Sequence, residues 1–242
     1  MRLDKFLADC GLGTRSQVKS ILKSKKVKVN GKLETSGKLQ VAEKSDQVTY
    51  DGRLLTYSKF LYYLMNKPQG VISAREDKEH QTVLDLLGHE AKSRGVFPVG
   101  RLDKDTRGLL LLTNNGDLAH AMLSPKRHVD KTYEAQVAGI MTEEDRLAFA
   151  RGLQLKDFTC QPATLEIVEK SEQEETCLVK ISISEGKFHQ VKRMVAACGK
   201  EVLDLKRLSM GPLTLDSNLA EGSYRFLTDS ELASLATYGL EV

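Results

Sequence analysis

The residues best suited to chemistry form one short loop, in which two carboxylates stand among several cations. Asp103 and Asp105 lie in the run Gly-Arg-Leu-Asp-Lys-Asp-Thr-Arg-Gly that begins at Gly100, and four leucines follow it. The cations of the run are Arg101, Lys104 and Arg107. Nearby cations favour the ionised form of a carboxylate, and loops carried on a rigid strand are common positions for catalytic groups. An ionised carboxylate in this loop, acting as a nucleophile or a base, is therefore the first candidate for chemistry.

Several other kinds of active site have no signature in the chain. It lacks a GxxxxGK[ST] phosphate loop, a GxGxxG dinucleotide fingerprint, an HExxH motif, a zinc-deaminase signature and a GxSxG elbow. Its five histidines never stand at ligand spacing with cysteine or carboxylates, and its four scattered cysteines form no CxxC pair. We therefore expect no metal site and cysteines that are reduced and mostly packed.

The aspartate loop also matches a longer pattern. An aspartate in a loop usually terminates a turn and pairs with neighbouring basic side chains, and spacing alone does not outweigh that ordinary role. The run Gly-Arg-Leu-Asp-x-x-Thr-x-Gly-Leu-Leu, however, resembles the catalytic motif of the RsuA/RluB/RluE/RluF-type RNA pseudouridine synthases. The other motifs in the family's order lie at 66–70, 131–133, 185–194 and 207–215. The resemblance implies an enzyme that isomerises uridine to pseudouridine, with Asp103 as its essential residue.

Each of these motifs can also be interpreted from its residues alone. The proline after Lys67 removes the next ladder donor, so the strand must end there and can hold the lysine beside a neighbouring loop. Alternation places Tyr133 on the buried face of a strand, where a core tyrosine is the ordinary expectation. His189, Lys192 and Arg193 have the i, i+3, i+4 spacing of one helical face, so one cation can reach a carboxylate.

The resemblance assigns more specific roles to these positions. It implies that Tyr133 stacks on the target uracil and that Lys192 is the cationic partner of Asp103. Many relatives have arginine at this place, and lysine keeps the charge without the fork-like contact of a guanidinium. Leu208 is expected to pack beneath the flipped base, with an ordinary strand position as the alternative. The residues further expected to bind the substrate are Arg101, Lys67 and Arg193.

The implied reaction breaks the glycosidic carbon–nitrogen bond of a uridine and remakes it at carbon 5 of the same ring. It needs no redox change and no external group, so the resemblance implies no cofactor. Asp103 adds covalently to the sugar or the base, or removes a sugar proton, and the sequence leaves these routes open. The target must leave its stack, which requires a basic groove and a base-stacking side chain.

The elements that position this chemistry begin with a basic N-terminal region. Residues 1–60 carry 13 basic and 6 acidic side chains, whereas the whole chain has a formal net charge of only +3. Apolar spacing predicts a helix that stops at Gly11 or Gly13 and a second helix capped by Thr14. A strand at 27–29 is predicted to turn tightly at the Asn-Gly pair that follows it.

A solvated charged face is the ordinary alternative for such a lysine-rich region. The segments 2–7 and 27–31, together with Ser16, instead resemble the αL (S4-like) RNA-binding module over nearly its whole length. The resemblance implies that a helical pair grips structured RNA. The residues expected to bind RNA are Arg2, Lys5, Arg15, Lys19, Lys23 and Lys26.

The patterns change after this region, and we place a domain boundary near residue 58. Residues 1–58 are expected to form the S4-like domain, and residues 59–242 the pseudouridine synthase catalytic domain. The predicted strands are 60–65, 108–113, 132–137, 163–168 and 178–183, and the predicted helices are 117–123, 143–152 and 189–198. Their irregular order predicts an α+β fold, and the resemblance implies a mixed, mainly antiparallel sheet.

Composition limits the location of the protein. The chain has no run of about 18 apolar residues and no apolar signal core near its N-terminus, so a membrane span and export are not supported. We expect a bacterial cytoplasmic protein that acts on ribosomal RNA, has no membrane partner and is a monomer.

Within the family, the likeness is greatest to RsuA, which implies small-subunit 16S ribosomal RNA as the substrate. The supporting features are the motif at 66–70, Lys192 in the motif at 189–194, and an end at Val242 without a long basic tail. A large-subunit 23S enzyme of the RluB, RluE or RluF type remains an alternative. An enzyme like RluB is expected to have arginine at the position of Lys192. A non-catalytic RNA-binding or ribosome-assembly factor is a further alternative, but it has no need for the motif around Asp103.

Overall fold

The computed structural model describes residues 1–238, and the chain forms two compact units. The first unit comprises Met1–Phe60 with Gly88–Gly95, and the second comprises Leu61–Leu87 and the chain from Val96 onward. The domain boundary near residue 58 stays a prediction, but the compact units differ from it because Gly88–Gly95 belongs with the first. The sequence feature of an end at Val242 without a long basic tail falls on residues 239–242, which lie outside the described residues.

Two helices open the first unit, as the apolar spacing predicts. They are α1, Leu3–Asp9, and α2, Arg15–Lys23. Gly11, at a φ of +81°, follows the end of α1 in a backbone conformation that glycine adopts without strain. The Thr14 hydroxyl accepts a hydrogen bond from the backbone N–H of Gln17, and the Gln17 side chain accepts one from the backbone of Thr14. This reciprocal capping box sets the first residue of α2.

A four-stranded antiparallel sheet, in the order β2-β1-β3-β4, completes the first unit. Its strands are β1 Val27–Val29, β2 Lys32–Leu33, β3 Val48–Tyr50 and β4 Arg53–Leu54. Asn30 and Gly31 connect β1 to β2 with φ values of +50° and +78°, which are the positive dihedrals of a tight hairpin. The core between helices and sheet consists of Leu3, Phe6, Leu7, Val18, Leu22, Val27, Val29, Val41 and Val48.

A segment from later in the sequence joins the first unit through an arginine. Helix α3, His89–Ser93, is followed by Arg94. The Arg94 guanidinium donates to the carbonyl oxygen of Asp9 at 2.6 Å, to that of Lys59 at 3.1 Å, and to that of Ser58. Three backbone acceptors from the first unit therefore bind this segment, which neither periodicity nor motif spacing predicts.

The second unit is built on a nine-stranded sheet, in the order β13-β5-β7-β11-β8-β10-β9, with β12 paired to β11 and β6 to β7. Its strands are β5 Tyr62–Lys67, β6 Phe97–Pro98, β7 Arg107–Thr113, β8 Lys131–Ala138, β9 Thr164–Ser171, β10 Thr176–Ile183, β11 Glu201–Met210, β12 Leu213–Thr214 and β13 Tyr224–Phe226. The pair β7–β11 is parallel, and the other described strand pairs are antiparallel. The predicted α+β class with a mixed, mainly antiparallel sheet is confirmed.

Burial explains the patterns of the central strands. Leu109, Leu110, Leu111 and Leu112 of β7 are fully buried, because this strand is covered on both faces. In β8, by contrast, every second residue is buried, which is the alternation of a strand with only one covered face. The two sequence patterns therefore report the depth of each strand in the second unit.

The helices of the second unit are α4 Gly116–Leu123, α5 Glu143–Arg151, α6 Gln190–Ala197 and α7 Asp229–Leu235. The first three confirm predicted helices. The ten-residue strand β11 was not predicted, since its register shifts after Val202 and after Arg207 and so interrupts the alternation that would have revealed it. No helix within residues 1–238 has both the length and the apolar character required to cross a bilayer.

Candidate active site

A cleft of about 550 Å³ in the second unit is lined by the loop that carries Asp103. Residues 122–125, which end α4 and follow it, form another part of its wall, and so does the segment 183–192 that leads from β10 into α6. Lys131 and Tyr133 of β8, with Leu205 and Arg207 of β11, line it from the sheet. We call this space the aspartate cleft.

Backbone contacts place the Asp103 loop at the start of β7. The backbone N–H of Thr106 donates to the carbonyl oxygen of Asp103 at 3.1 Å, which closes a turn. The Ser73 hydroxyl donates to the carbonyl oxygen of Leu102 at 2.9 Å and accepts from its N–H at 3.0 Å. The loop ends at Gly108, where a Cβ would lie 2.3 Å from the carbonyl oxygen of Arg207 on the parallel strand β11. Only glycine fits this close approach of two strands.

Lys67 anchors this loop from beneath. Its fully buried ammonium donates to the carbonyl oxygens of Pro68 at 2.9 Å, Asp103 at 3.1 Å and Thr106 at 2.8 Å. Burial lowers the pKa of Lys67 to about 8, against the opposing effect of Asp103 and other carboxylates. The structure makes Lys67 an anchor of the loop, because its side chain does not line the cleft and its three N–H groups are engaged. Its expected role in binding substrate stays a prediction without support from this geometry. The sequence did predict that it lies beside a neighbouring loop.

The Asp103 carboxylate faces two side chains of the segment before and within α6. Its Oδ1 lies 3.5 Å from His189 Nε2, and its Oδ2 lies 3.7 Å from Lys192 Nζ. Lys192 also donates to Asp105 Oδ1 at 2.6 Å, and this hydrogen bond holds the pKa of Asp105 below its usual range. Lys192 is thus close to Asp103 as expected, but its shortest contact is with Asp105, so the two carboxylates share one cation.

The start of α6 separates three basic side chains that the helical spacing placed together. His189 stands before the helix with a φ of +50°, an uncommon backbone conformation for a residue other than glycine. His189 and Lys192 turn toward Asp103, whereas Arg193 donates to Asp157 and does not line the cleft. The surface carboxylate of Asp157 holds Arg193 away from the cleft, so its expected role in binding substrate stays a prediction without support from this geometry.

The sheet contributes Tyr133 to the aspartate cleft and keeps Leu208 out of it. Tyr133 is buried, lines the cleft and is paired in register with Arg207. Leu208 is only half-buried and does not line the cleft, because Leu205 and Arg207 present the cleft-facing side of β11. The interpretation of Leu208 as an ordinary strand residue fits this geometry, and its placement beneath the base does not. Arg101 is exposed and lines the cleft, as the motif implies.

Sequence reasoning missed four residues that line this cleft. Lys131 and Arg207 are buried on adjacent strands, although their sequence signal was present as charged residues within the family motifs. His189 was placed on a helical face with Lys192 and Arg193 but was given no role in the site, and Phe188 was not singled out. The Phe188 ring is 73% exposed and stacks on the His189 ring with centroids 3.8 Å apart. An exposed aromatic residue beside a cleft has the shape needed to stack on a base.

The expected RNA-binding residues of the first unit differ in their partners. Arg2 pairs with Asp4, Lys5 with Asp9 and Lys26 with Asp51. Arg15, Lys19 and Lys23 are exposed along α2, and no ion pair to them is found within residues 1–238. We call these three residues the α2 basic face, since their charges are available to an anionic partner.

Neither metal ligation nor disulfide bonding is indicated in the described part of the chain. Within residues 1–238, no group of three or more histidine, cysteine, aspartate or glutamate side chains is placed to hold a metal ion. All four cysteines are free: Cys160 and Cys177 are buried, and Cys10 and Cys198 are partly buried. Burial raises the pKa of Cys10 and of Cys198 to about 11, which makes both thiols poor nucleophiles.

Comparison with known families assigns both parts of the chain. Residues 61–197 match the model of the RNA pseudouridylate synthase family, and residues 1–58 match the S4 domain. The first match contains Asp103, Tyr133 and Lys192, and the second contains the α2 basic face. The two resemblances noted in the sequence are therefore both confirmed.

Individual relatives extend over nearly the whole chain. An uncharacterized RNA pseudouridine synthase of Bacillus subtilis, YtzG, is 47% identical, covering 96% of this chain and 97% of its own length. The ribosomal small subunit pseudouridine synthase A of Vibrio cholerae is 41% identical, and that of Haemophilus influenzae is 38% identical. Each covers 97% of this chain and 99% of its own length.

A solved structure agrees with these relatives. The crystal structure of a pseudouridylate synthase matches with a TM-score of 0.66 and 38% identity, covering 97% of this chain and 99% of that one. Sequence, domain order and fold lead to one assignment. The chain belongs to the RNA pseudouridylate synthase family and is an enzyme that forms pseudouridine in RNA, with an S4 RNA-binding domain at its N-terminus.

Proposed function

We propose that the chain isomerises a specific uridine of small-subunit 16S ribosomal RNA and that Asp103 is its catalytic carboxylate. The observation that carries the assignment is the position of this carboxylate, which lies on the aspartate cleft within 3.7 Å of Lys192 Nζ and 3.5 Å of His189 Nε2. A carboxylate on a cleft wall is placed to act as a nucleophile or as a base. Its loop is held by buried hydrogen bonds, so the group is positioned before the substrate arrives.

The residues around Asp103 have complementary roles in this proposal. Tyr133 forms a flat wall on which the flipped uracil stacks, and Arg101 at the cleft contacts the RNA. Lys192 bridges Asp103 and Asp105, so its positive charge neutralises part of the charge of both carboxylates. Attack on the sugar, attack on the base and removal of a sugar proton all remain compatible with this arrangement.

The first test separates Asp103 from its neighbour Asp105. Asp103→Asn keeps the shape of the side chain and removes its negative charge, so pseudouridine formation should be abolished while RNA binding stays nearly intact. Asp105→Asn removes the charge that lies nearest to Lys192 but leaves the Asp103 carboxylate in place, so it should have a milder effect. Product is measured by primer extension after chemical adduct formation at pseudouridine. Retained product in the Asp103 variant would contradict the assignment.

Support for the small-subunit substrate comes from the relatives. Several of them, at 38–41% identity over 97% of this chain, are named ribosomal small subunit pseudouridine synthase A. Mapping pseudouridine in ribosomal RNA from cells that lack this protein should reveal one missing modification in 16S RNA. A site missing from 23S RNA instead would assign the chain to the large-subunit enzymes, and an unchanged pattern in both would exclude a ribosomal substrate.

The same proposal includes the setting in which the enzyme acts. We infer a monomer in the bacterial cytoplasm, with the α2 basic face of the S4 domain gripping structured RNA through its phosphates. Size-exclusion chromatography with light scattering tests the monomer, for which the chain mass is 26.9 kDa.

A further inference from the structure

Two buried cations form the floor of the aspartate cleft, away from the carboxylate that the mechanism uses. Arg207 is 2% exposed and Lys131 is 8% exposed, and both line the cleft. The floor they form is adjacent to Tyr133: Lys131 is two residues before it on the same face of β8, and Arg207 is its register partner on β11. A ring stacked on Tyr133 therefore has a cation on two of its sides.

The hydrogen bonds of these cations are incomplete. Arg207 Nε donates to the carbonyl oxygen of Leu109 at 2.8 Å, but its Nη2 is buried and has no hydrogen-bond partner within residues 1–238. Lys131 Nζ donates to the carbonyl oxygen of Val129 at 2.7 Å, which uses one of the three N–H groups of an ammonium. Burial, and then the charge of Arg207, lower the pKa of Lys131 to about 8. A buried donor without an acceptor is costly, so this floor is suited to an electron-rich ligand.

Depth distinguishes the part of a nucleotide that meets this floor. The Asp103 side chain is 31% exposed and that of His189 is 40% exposed, so the carboxylate end of the cleft is open. Arg207 and Lys131 lie at the buried end. A flipped nucleotide enters base first and leaves its sugar and phosphates nearer the solvent. The buried cations therefore face the base, while Asp103 is placed to meet the sugar or the near edge of the ring.

We propose that Arg207 and Lys131 donate hydrogen bonds to the carbonyl oxygens of the target uracil and stabilise the negative charge that the ring acquires during catalysis. This inference rests on the proposed function of Asp103. When the C1′–N1 bond breaks, its electron pair stays on the ring and is shared with O2 and O4, while C1′ becomes electron-poor. The electron-poor C1′ then forms a bond to a carboxylate oxygen of Asp103, or Asp103 removes the proton from C2′.

The charge balance is the same in the remaining route. If the carboxylate first adds at carbon 6, the pair of the C5–C6 double bond moves toward C5 and O4, and the ring again carries the charge. Rejoining uses a ring pair to form the C5–C1′ bond, after which C5 loses its proton and N1 gains one. Asp103 is regenerated in each route: its bond to C1′ breaks as C5 attacks, its bond to C6 breaks by elimination, or it returns the proton to C2′. Donors that are held in a buried site and aimed at developing charge are among the strongest catalytic devices.

The test compares two leaving groups in each variant. A uridine RNA and the same RNA made with 5-fluorouridine are treated under single-turnover conditions, and loss of the target nucleoside is followed by mass spectrometry. Fluorine withdraws electrons, so the fluorinated ring carries negative charge more easily and needs less help from the protein. Lys131→Met and Arg207→Lys should slow the uridine reaction about 100-fold, in the range for loss of one such donor. With 5-fluorouridine the loss should shrink to about tenfold or less.

Lys206→Met is the matched control, because Lys206 lies beside Arg207 in β11 and does not line the cleft. It should change neither rate. Equal losses on the two RNAs, or no loss, would overturn the inference and leave the cations a positioning role or none. Thermal unfolding shows whether each variant is folded. If Lys131→Met or Arg207→Lys does not fold, the other variant alone still provides the comparison of the rate losses on the two RNAs. Wild type and Asp103→Asn reacting at the same rate would instead contradict the function proposed for Asp103.

Discussion

The cations of the α2 basic face and the buried cations in and beneath the aspartate cleft are the same residue types in opposite environments. Arg15, Lys19 and Lys23 are exposed and carry no ion pair within the described residues. Lys67 and Arg207 are buried and bonded to backbone carbonyl oxygens. An exposed cation acts through its charge, which salt screens, whereas a buried one acts through its position. The difference predicts which lysines and arginines tolerate substitution and what each substitution changes.

The largest effect in this comparison is expected when Lys67 becomes methionine. The change leaves one buried and two partly buried carbonyl oxygens without their donor, so we expect a loss of about 2–4 kcal/mol of unfolding free energy. The Asp103 loop would also move, and a displacement of about 1 Å costs about 100-fold in rate. Denaturant unfolding and single-turnover kinetics measure the two effects. Lys19→Met is the control on the α2 basic face, and equal stability losses in both variants would break the comparison.

A second contrast uses two glycines with positive φ, one in each unit. A Cβ at Gly108 would meet the Arg207 backbone at 2.3 Å, whereas a Cβ at Gly31 would meet nothing within 4 Å. Gly108→Ala should cost about 2–3 kcal/mol through clash and strain, and Gly31→Ala about 1 kcal/mol through strain alone. Chemical denaturation of both variants provides the measurement. Similar costs would show that strands β7 and β11 can separate without penalty.

Raising the pH should have an effect of intermediate size, which is opposite in sign for stability and for activity. Burial sets the pKa of both Lys67 and Lys131 to about 8, below the ordinary 10.5 of lysine. Between these values the folded chain binds fewer protons than the unfolded chain, so the contribution of these groups to stability rises as pH increases from about 8 to 10.5. Activity should instead fall as the pH rises past about 8, because each ammonium group then loses its positive charge and one of its three N–H donors.

Single-turnover rates and unfolding midpoints from pH 7 to about 10 measure these opposing trends. Lys19→Gln should retain the wild-type profile of rate against pH, because this exposed lysine lies outside the cleft. A rate that stays flat to about pH 10 would show that neither buried ammonium is needed.

The smallest effect is expected on the α2 basic face itself. Lys19→Gln or Lys23→Gln should weaken RNA binding a few-fold at low salt and reduce the slope of log affinity against log salt by about 0.7–0.9 per phosphate contact. The rate at saturating RNA should not change. Filter binding across a salt series provides the slope, and an unchanged slope in both variants would remove this face from the RNA interface.

The sequence was most informative where a residue's environment follows from its near neighbours. The helix cap at Thr14, the hairpin at Asn30 and Gly31, and the strand from Lys131 all follow from local backbone chemistry and alternation. Strand β11 escaped prediction because two register shifts break its alternation. Attachment of α3 to the first unit escaped as well, since it depends on hydrogen bonds from Arg94 to distant carbonyl oxygens.

The same distinction holds within the active site. The motif around Asp103 and its resemblance to a family indicated the carboxylate, and order along the chain indicated Tyr133 and Lys192. Spacing did not reveal that Lys192 is shared with Asp105 or that Asp157 holds Arg193. A charged side chain on a helix has several carboxylates within reach, and the fold decides which of them is near.

By itself, the sequence indicated, through its family resemblance, the class of enzyme, the order of its two domains and the candidate carboxylate of the site. It did so because motif residues and alternation are local properties of the chain. Only the tertiary structure decided that Lys67 is a loop anchor, that Leu208 stays outside the cleft, and that Arg207 and Lys131 form its floor. These facts depend on which strands become neighbours in the sheet, and burial by distant segments leaves no fixed spacing in the sequence.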